Sequence, residues 1–91
     1  MQKPLVTIEN WAVVQSAGFE SYQELQLGKR LTGNVFGHPH LPKTSVIYTS
    51  PIVSIDLSQG VVETLNTAYK LGEPNDAYKT WEHKRRAAEA A

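Results

Sequence analysis

The chain contains no cysteine, which excludes a disulfide scaffold, a thiolate zinc site and a cysteine nucleophile. It also lacks a long apolar run. The stretch 11–14 (WAVV) is followed at once by Gln15, far short of the roughly 20 apolar residues of a membrane-spanning helix. No charge of either sign dominates, because nine Lys and Arg balance nine Asp and Glu. Domains that hold nucleic acid by bulk phosphate neutralisation are usually clearly basic, so the balance argues against that class while leaving room for a local patch. Residues 1–20 show no basic start followed by an apolar core, so the expectation is a cytoplasmic protein with no membrane partner. With 91 residues and 41% apolar content, the chain has one small core to build. Stability has to come from packing alone or from a partner subunit, and a homodimer is compatible with this.

What is present is a strong alternation over 45–72, SVIYTSPIVSIDLSQGVVETLNTAYKLG. Ile47, Thr49, Pro51, Val53, Ile55 and Leu57 alternate with Val46, Tyr48, Ser50, Ile52, Ser54 and Asp56, the period-two pattern of a half-buried strand. Ser58-Gln59-Gly60 interrupts it, and Gly60 accepts positive φ at the end of a three-residue loop. Folding there opposes Val53 to Leu65, Thr49 to Tyr69 and Ile47 to Leu71 in one long hairpin. Odd residues then meet odd residues, and a slip of one would expose the apolar set.

Elsewhere, residues 1–4 read as a loose terminus. Residues 5–15 carry enough Val, Ile and Trp for a strand, or two short ones divided at Glu9-Asn10. Ser16-Ala17-Gly18 is a turn sequence, and 19–27 fits one helical turn or an irregular strand ended by Gly28. In 29–37, Leu31, Gly33, Val35 and Gly37 share one side, and a glycine inside a strand marks a bulge or a bend. Two prolines make 38–44 (HPHLPKT) a connection, and Pro51 belongs at an edge or at a bend between shorter strands. After Gly72-Glu73-Pro74 the composition turns to Ala, Lys, Arg and Glu. A helix follows, capped by Asn75 or Asp76, with Tyr78 and Trp81 on one face and Glu82–Arg86 and Arg85–Glu89 spaced as pairs. The organisation is therefore a β domain at 1–74 and a C-terminal helix and tail at 75–91.

Few residues suggest chemistry. His38 and His40, two apart on a loop, are compatible with a metal if His83 or a carboxylate completes the site; the plainer reading is two solvated imidazoles. No nucleophile sits on a sharp turn beside a histidine and an acid, and Glu9, Glu20, Glu24, Asp56 and Glu63 are scattered without pairing. The expectation is no enzyme, no cofactor and no metal. Lys84, Arg85 and Arg86 beside Trp81 form the one basic cluster, suited to phosphate or an acidic surface, or else simply a solvated helix end. Trp11, Tyr22, Phe36, Tyr48 and Tyr69 are candidates for a base-stacking platform, although the derived hairpin puts Tyr48 and Tyr69 on opposite faces.

Thr49, Ser50 and Pro51, followed by Glu63, Thr64, Asn66, Thr67, Tyr69, Leu71 and Gly72, carry a resemblance. The stretch 48–74 resembles small uncharacterised proteins of bacteriophages, prophages and proteobacteria, of the DUF6957 type. There a Thr-Ser-Pro segment precedes Glu-Thr-x-Asn-Thr-x-Tyr-x-Leu-Gly. The resemblance covers about a third of the chain and implies a phage-related context rather than a mechanism, with Asn66 and Thr67 the polar residues suited to contacts.

These readings converge on a mainly β, α+β fold: a small curled antiparallel sheet or SH3-like barrel with a C-terminal helix. The expected core is Trp11, Val13, Leu31, Val35, Ile47, Val53, Ile55, Leu65, Tyr69, Leu71 and Trp81. The expected function is a non-catalytic protein-binding module, a phage- or prophage-encoded modulator of a host process. The surfaces proposed for contact are the sheet edge near Pro51, the 38–42 loop and the helix bearing Trp81, with His38, His40, Asn66, Trp81, Lys84, Arg85 and Arg86 as binding residues. The alternatives are a nucleic-acid-binding β domain using Lys29, Arg30 and the helix cations, and a structural phage component.

Overall fold

The computed structural model describes residues 3–15, 21–37 and 46–90. It is mainly β: strands β1 (Leu5–Val14), β2 (Arg30–Phe36), β3 (Val46–Tyr48), β4 (Ser54–Asp56), β5 (Val61–Glu63) and β6 (Ala68–Leu71) precede helix α1 (Asp76–Ala90). The strands form one sheet in the order β3-β2-β1-β6-β5-β4. Four pairings are antiparallel, as expected, but β1 runs parallel to β6. The sheet is therefore mixed, and no ladder joins β3 to β4, so it is curled rather than closed as an SH3-like barrel. No helix among the described residues is long and apolar enough to cross a membrane.

The curl follows from chain length. β3 and β4 are the two edges of the sheet, yet they are consecutive in sequence. A flat six-stranded sheet would separate its edges by five gaps of about 4.8 Å, or about 24 Å. The six steps from Tyr48 to Ser54 reach at most about 20–22 Å. The sheet must bend to bring its edges together, and the linking residues mark where. Thr49 N–H donates to Leu31 O at 2.9 Å and Ile52 N–H to Lys29 O at 2.8 Å, whereas Val53 N–H donates to Glu63 O at 2.8 Å. Residues 46–56 thus run first along β2 and then along β5. The change of partner falls between Ile52 and Val53, and Pro51, with no N–H to offer, stands just before it, between the two short strands as expected.

The long hairpin does not form in the register derived above. Ser54 opposes Glu63, Ile55 opposes Val62 and Asp56 opposes Val61, one residue away from the expected alignment. The loop has four residues, 57–60, rather than three. The cause is Asp56, whose carboxylate accepts the Ser58 hydroxyl at 2.6 Å and the Gln59 N–H at 3.3 Å, drawing Leu57 into the turn that Gly60 ends at φ 65°. Val53 is 44% exposed rather than in the core and Ile52 is buried, because the alternation breaks where the chain changes partner; Ile55, of the same parity as Val53, still packs inward.

The second arm is also broken. Thr64 N–H donates to Thr67 O at 2.9 Å, folding 64–67 into a turn between β5 and β6 and leaving Leu65 66% exposed. Tyr69 and Leu71 therefore face Val6 and Ile8 of β1, not Thr49 and Ile47. Burial pushes the Tyr69 phenol above its ordinary pKa, against hydrogen bonds with Thr67 and Thr64 that act the other way. The start of the chain is tied down here too. Lys3 Nζ donates to Thr64 O at 2.7 Å and Pro4 O accepts Ala68 N–H, so residues 3 and 4 are not loose.

Residues paired across a ladder share a face of the sheet. Val6, Ile8, Val13, Leu31, Val35, Val62 and Tyr69 lie on one face by their pairings and are buried; Ile47, Ile55 and Leu71 are half-buried beside them. This face lines the inside of the curl. β1 reaches it from both halves only because its register shifts by one between Glu9 and Ala12. Asn10 takes φ 54° at this bulge, a left-handed conformation that asparagine tolerates. Gly33 sits opposite, so the glycine in β2 does mark a bulge, although the bulge belongs to its neighbour.

Candidate functional site

The other face of β1, β2 and β3 carries the most unusual surface. Ladder pairing puts Thr7 with Phe36, Glu9 with Asn34, Ala12 with Thr32, Thr32 with Tyr48 and Asn34 with Val46 on this side. Leu5 follows from its spacing to Thr7. Leu5 is 62% and Val46 67% exposed, and Phe36 and Tyr48 are also exposed. Four large apolar side chains thus stand on a face whose remaining members include threonines and an asparagine. Toward α1, Ala12 and Val14 of the same face are buried, and Tyr22, bridged to Val14, lies beside them.

A groove of about 170 Å³ runs along this face, with Asn10, Tyr22, Thr32, Asn34, Tyr48 and Asn75 among its lining. The β1 bulge positions Asn10, and the helix start positions Asn75. Asn75 N–H donates to Trp11 O at 2.7 Å, while its Oδ1 accepts Ala77 N–H at 2.9 Å and Tyr78 N–H at 3.2 Å. Of the two cap candidates it is the one in place. Its Nδ2 donates to Asn10 Oδ1 at 3.2 Å, linking bulge and helix.

Behind the groove is an aromatic cluster. Tyr78 and Trp81 stack with centroids 5.6 Å apart, Trp11 lies 5.7 Å from Tyr78, and Tyr22 meets Tyr78 edge-on at 5.4 Å. The Tyr78 hydroxyl donates to Gln23 O at 2.7 Å, and Trp11 Nε1–H to Gly72 O at 2.9 Å. Burial, with a smaller contribution from Glu82, pushes the Tyr78 phenol well above its usual pKa. Gln23 N–H donates to Val13 O, so 22–27 is the irregular-strand alternative rather than a helical turn. This knot seats α1 against β1 and explains why Trp81 is half-buried packing rather than an open contact residue.

The remaining residues expected to bind are dispersed. Arg85 pairs with Glu24 and lies over the Trp81 ring, 5.5 Å from its centroid. Arg86 pairs with Glu82 at 2.8 Å, as its spacing predicted, while Lys84 is exposed. Lys29 Nζ donates to Gln15 Oε1 at 2.7 Å and Arg30 to Thr49 O at 2.9 Å. Among the described residues, the grooves lined by Lys84, Arg85 or Arg86 of α1 do not include Lys29 or Arg30. Asn66 is exposed in the β5–β6 turn, away from the groove lining. The turn expected at 16–18, Phe19, the 38–44 connection, His38 and His40 lie outside the described residues. Among the described residues no group of three His, Asp or Glu side chains is placed to hold a metal. Of the proposed stacking platform, Tyr48 and Tyr69 do fall on opposite faces, and Tyr69 is buried.

Sequence reasoning missed Phe36, Val46, Asn10 and Thr32 as a group. Thr32, Asn34 and Phe36 alternate against Leu31, Gly33 and Val35, which separates the faces of β2. Which strands continue that face depends on β3 pairing with β2, and no periodicity reports this. Comparison with family models, curated proteins and solved structures returned no match for the chain.

Proposed function

We propose that this protein is a non-catalytic protein-binding module that docks through the outer face of β1–β3. The observation that carries the reading is the exposure of Leu5, Phe36, Val46 and Tyr48 on one register-defined face. Exposed apolar residues scattered singly are ordinary, but a set sharing one side of a sheet marks an interaction surface. β3 is at the sheet edge, so a partner segment has both side chains to cover and a strand to lie beside. The resemblance of 48–74 to phage and prophage proteins of the DUF6957 type supports a role as a phage-encoded modulator of a host process in the cytoplasm.

A nucleic-acid-binding role has less support, because Arg85 and Arg86 already meet Glu24 and Glu82. The test is affinity capture from a bacterial lysate with the full chain and with a Phe36→Ser, Val46→Ser double variant. A stoichiometric protein partner retained by the first and lost by the folded second supports the reading. Capture that survives the double variant, or capture of nucleic acid that weakens steeply with salt, sinks it.

A further inference from the structure

The groove beside the apolar face has a chemical character of its own. None of its lining residues is charged, and Asn10, Asn34 and Asn75 bring three carboxamides to it. At about 170 Å³ it is smaller than the ~300–1,000 Å³ of pockets for drug-sized ligands, and it matches a single side chain. Asn10 Oδ1 is occupied by Asn75 Nδ2, which leaves the Asn10 Nδ2 donors with no partner among the described residues. The hydroxyls of Thr32 and Tyr22 are in the same position.

A charged side chain entering here would find no counter-ion, and an apolar one would strip water from these groups with nothing in return. A primary carboxamide both donates and accepts, so it satisfies an amide N–H and a hydroxyl together.

We propose that this groove is an anchoring pocket for the carboxamide side chain of an Asn or Gln in the docked segment. The inference rests on the protein-docking reading above and specifies what part of the partner enters. A nucleobase shares the uncharged donor–acceptor chemistry, but no lysine lines the groove to hold the phosphate that accompanies it.

The test is an NMR titration of the full, isotope-labelled chain with capped tripeptides Ala-X-Ala, where X is Gln, Glu, Lys or Leu, and with uridine. The Gln peptide should give saturable shifts at the Asn10 and Asn75 side-chain amides and at the Thr32 and Gly33 backbone amides. Its dissociation constant should be at least about fivefold lower than those of the other peptides, the worth of one neutral hydrogen bond. Thr32→Val should weaken it by a similar factor while the backbone spectrum is retained; if that variant does not fold, Tyr22→Phe takes its place. No saturable shift, an equal response to the Glu or Leu peptide, or a stronger response to uridine overturns the proposal. The two readings fail separately. Partner capture that depends on Phe36 with a silent groove removes the anchor alone, whereas a responsive groove with no captured partner removes the docking function.

Discussion

Gly33 lies so close to the bulge of β1 that a Cβ placed on it would stand 2.8 Å from the carbonyl oxygen of Glu9. It would also meet Ile8 Cγ1 and Trp11 Cα at 3.0 Å. Two of these three atoms are backbone, so the neighbour cannot swing aside. Gly33→Ala should destabilise the fold by about 1–3 kcal/mol. Thermal unfolding should register this as a fall of roughly 4–8 °C per kcal/mol for a domain of this size. Because the bulge positions Asn10, the same variant should weaken any ligand held in the groove.

The Asp56 carboxylate is held below its usual pKa by the Ser58 hydroxyl, against desolvation that raises it, with smaller help from the Gln59 and Ser58 backbone N–H groups. A carboxylate depressed in the folded state stabilises it above the unfolded value near 3.8 and loses that contribution as pH falls through the folded value. The turn at 57–60 should therefore loosen below about pH 4. The protection of the Gln59 amide against hydrogen exchange, relative to its intrinsic rate, should fall in that range, and in Asp56→Ala it should be low at every pH. An unchanged Gln59 rate in Asp56→Ala would remove the account of the hairpin register.

Tyr78 donates its hydroxyl to Gln23 O from a buried position. Tyr78→Phe leaves that carbonyl without its donor and should cost about 1–2 kcal/mol. Tyr78→Ala also opens a cavity among Trp11, Tyr22 and Trp81 and should cost about 3–5 kcal/mol. The folded phenol has a raised pKa, so its stabilising effect is complete below the unfolded value of about 10 and disappears as pH climbs through the folded one. Denaturant titrations at rising alkaline pH should show a loss of stability that Tyr78→Phe reduces.

Asn75 caps α1 and joins it to Asn10 and Trp11. Asn75→Ala should cost about 1 kcal/mol, in the range of a lost N-cap. Asn75→Asp retains the cap acceptor but not the amide donor to Asn10, so it should restore most of the stability and none of the bulge-to-helix link. Urea unfolding of the pair separates the two roles.

Several elements were legible because their causes are local. A cap at Asn75 or Asp76, the Tyr78–Trp81 face and the Glu82–Arg86 pair follow from local spacing; Asn75 proves to be the cap, and the face and the pair are found in α1. Alternation placed Leu31, Val35 and Val13 in the core correctly. It failed at Val53 and Leu65, and for a definite reason. Period two identifies which residues share a face only while the strand continues: the bend between Ile52 and Ile55 turns Val53 outward, and the Thr64–Thr67 turn takes Leu65 out of its strand. The exposed apolar face was hidden because Phe36 and Val46 are ordinary strand residues until β3 lies against β2.

Residue order alone determined that this chain has no disulfide, that it alternates between strands and punctuating Gly, Pro and Asn, and that it ends in a capped helix. These depend on interactions within a few positions of each other. Tertiary structure decided the parallel pairing of β1 with β6, the curl that brings the edges onto one bent stretch at Pro51, and the side of the sheet left open to solvent. Each of those is set by contacts between distant segments competing for one small core, and backbone periodicity carries no record of which partner wins.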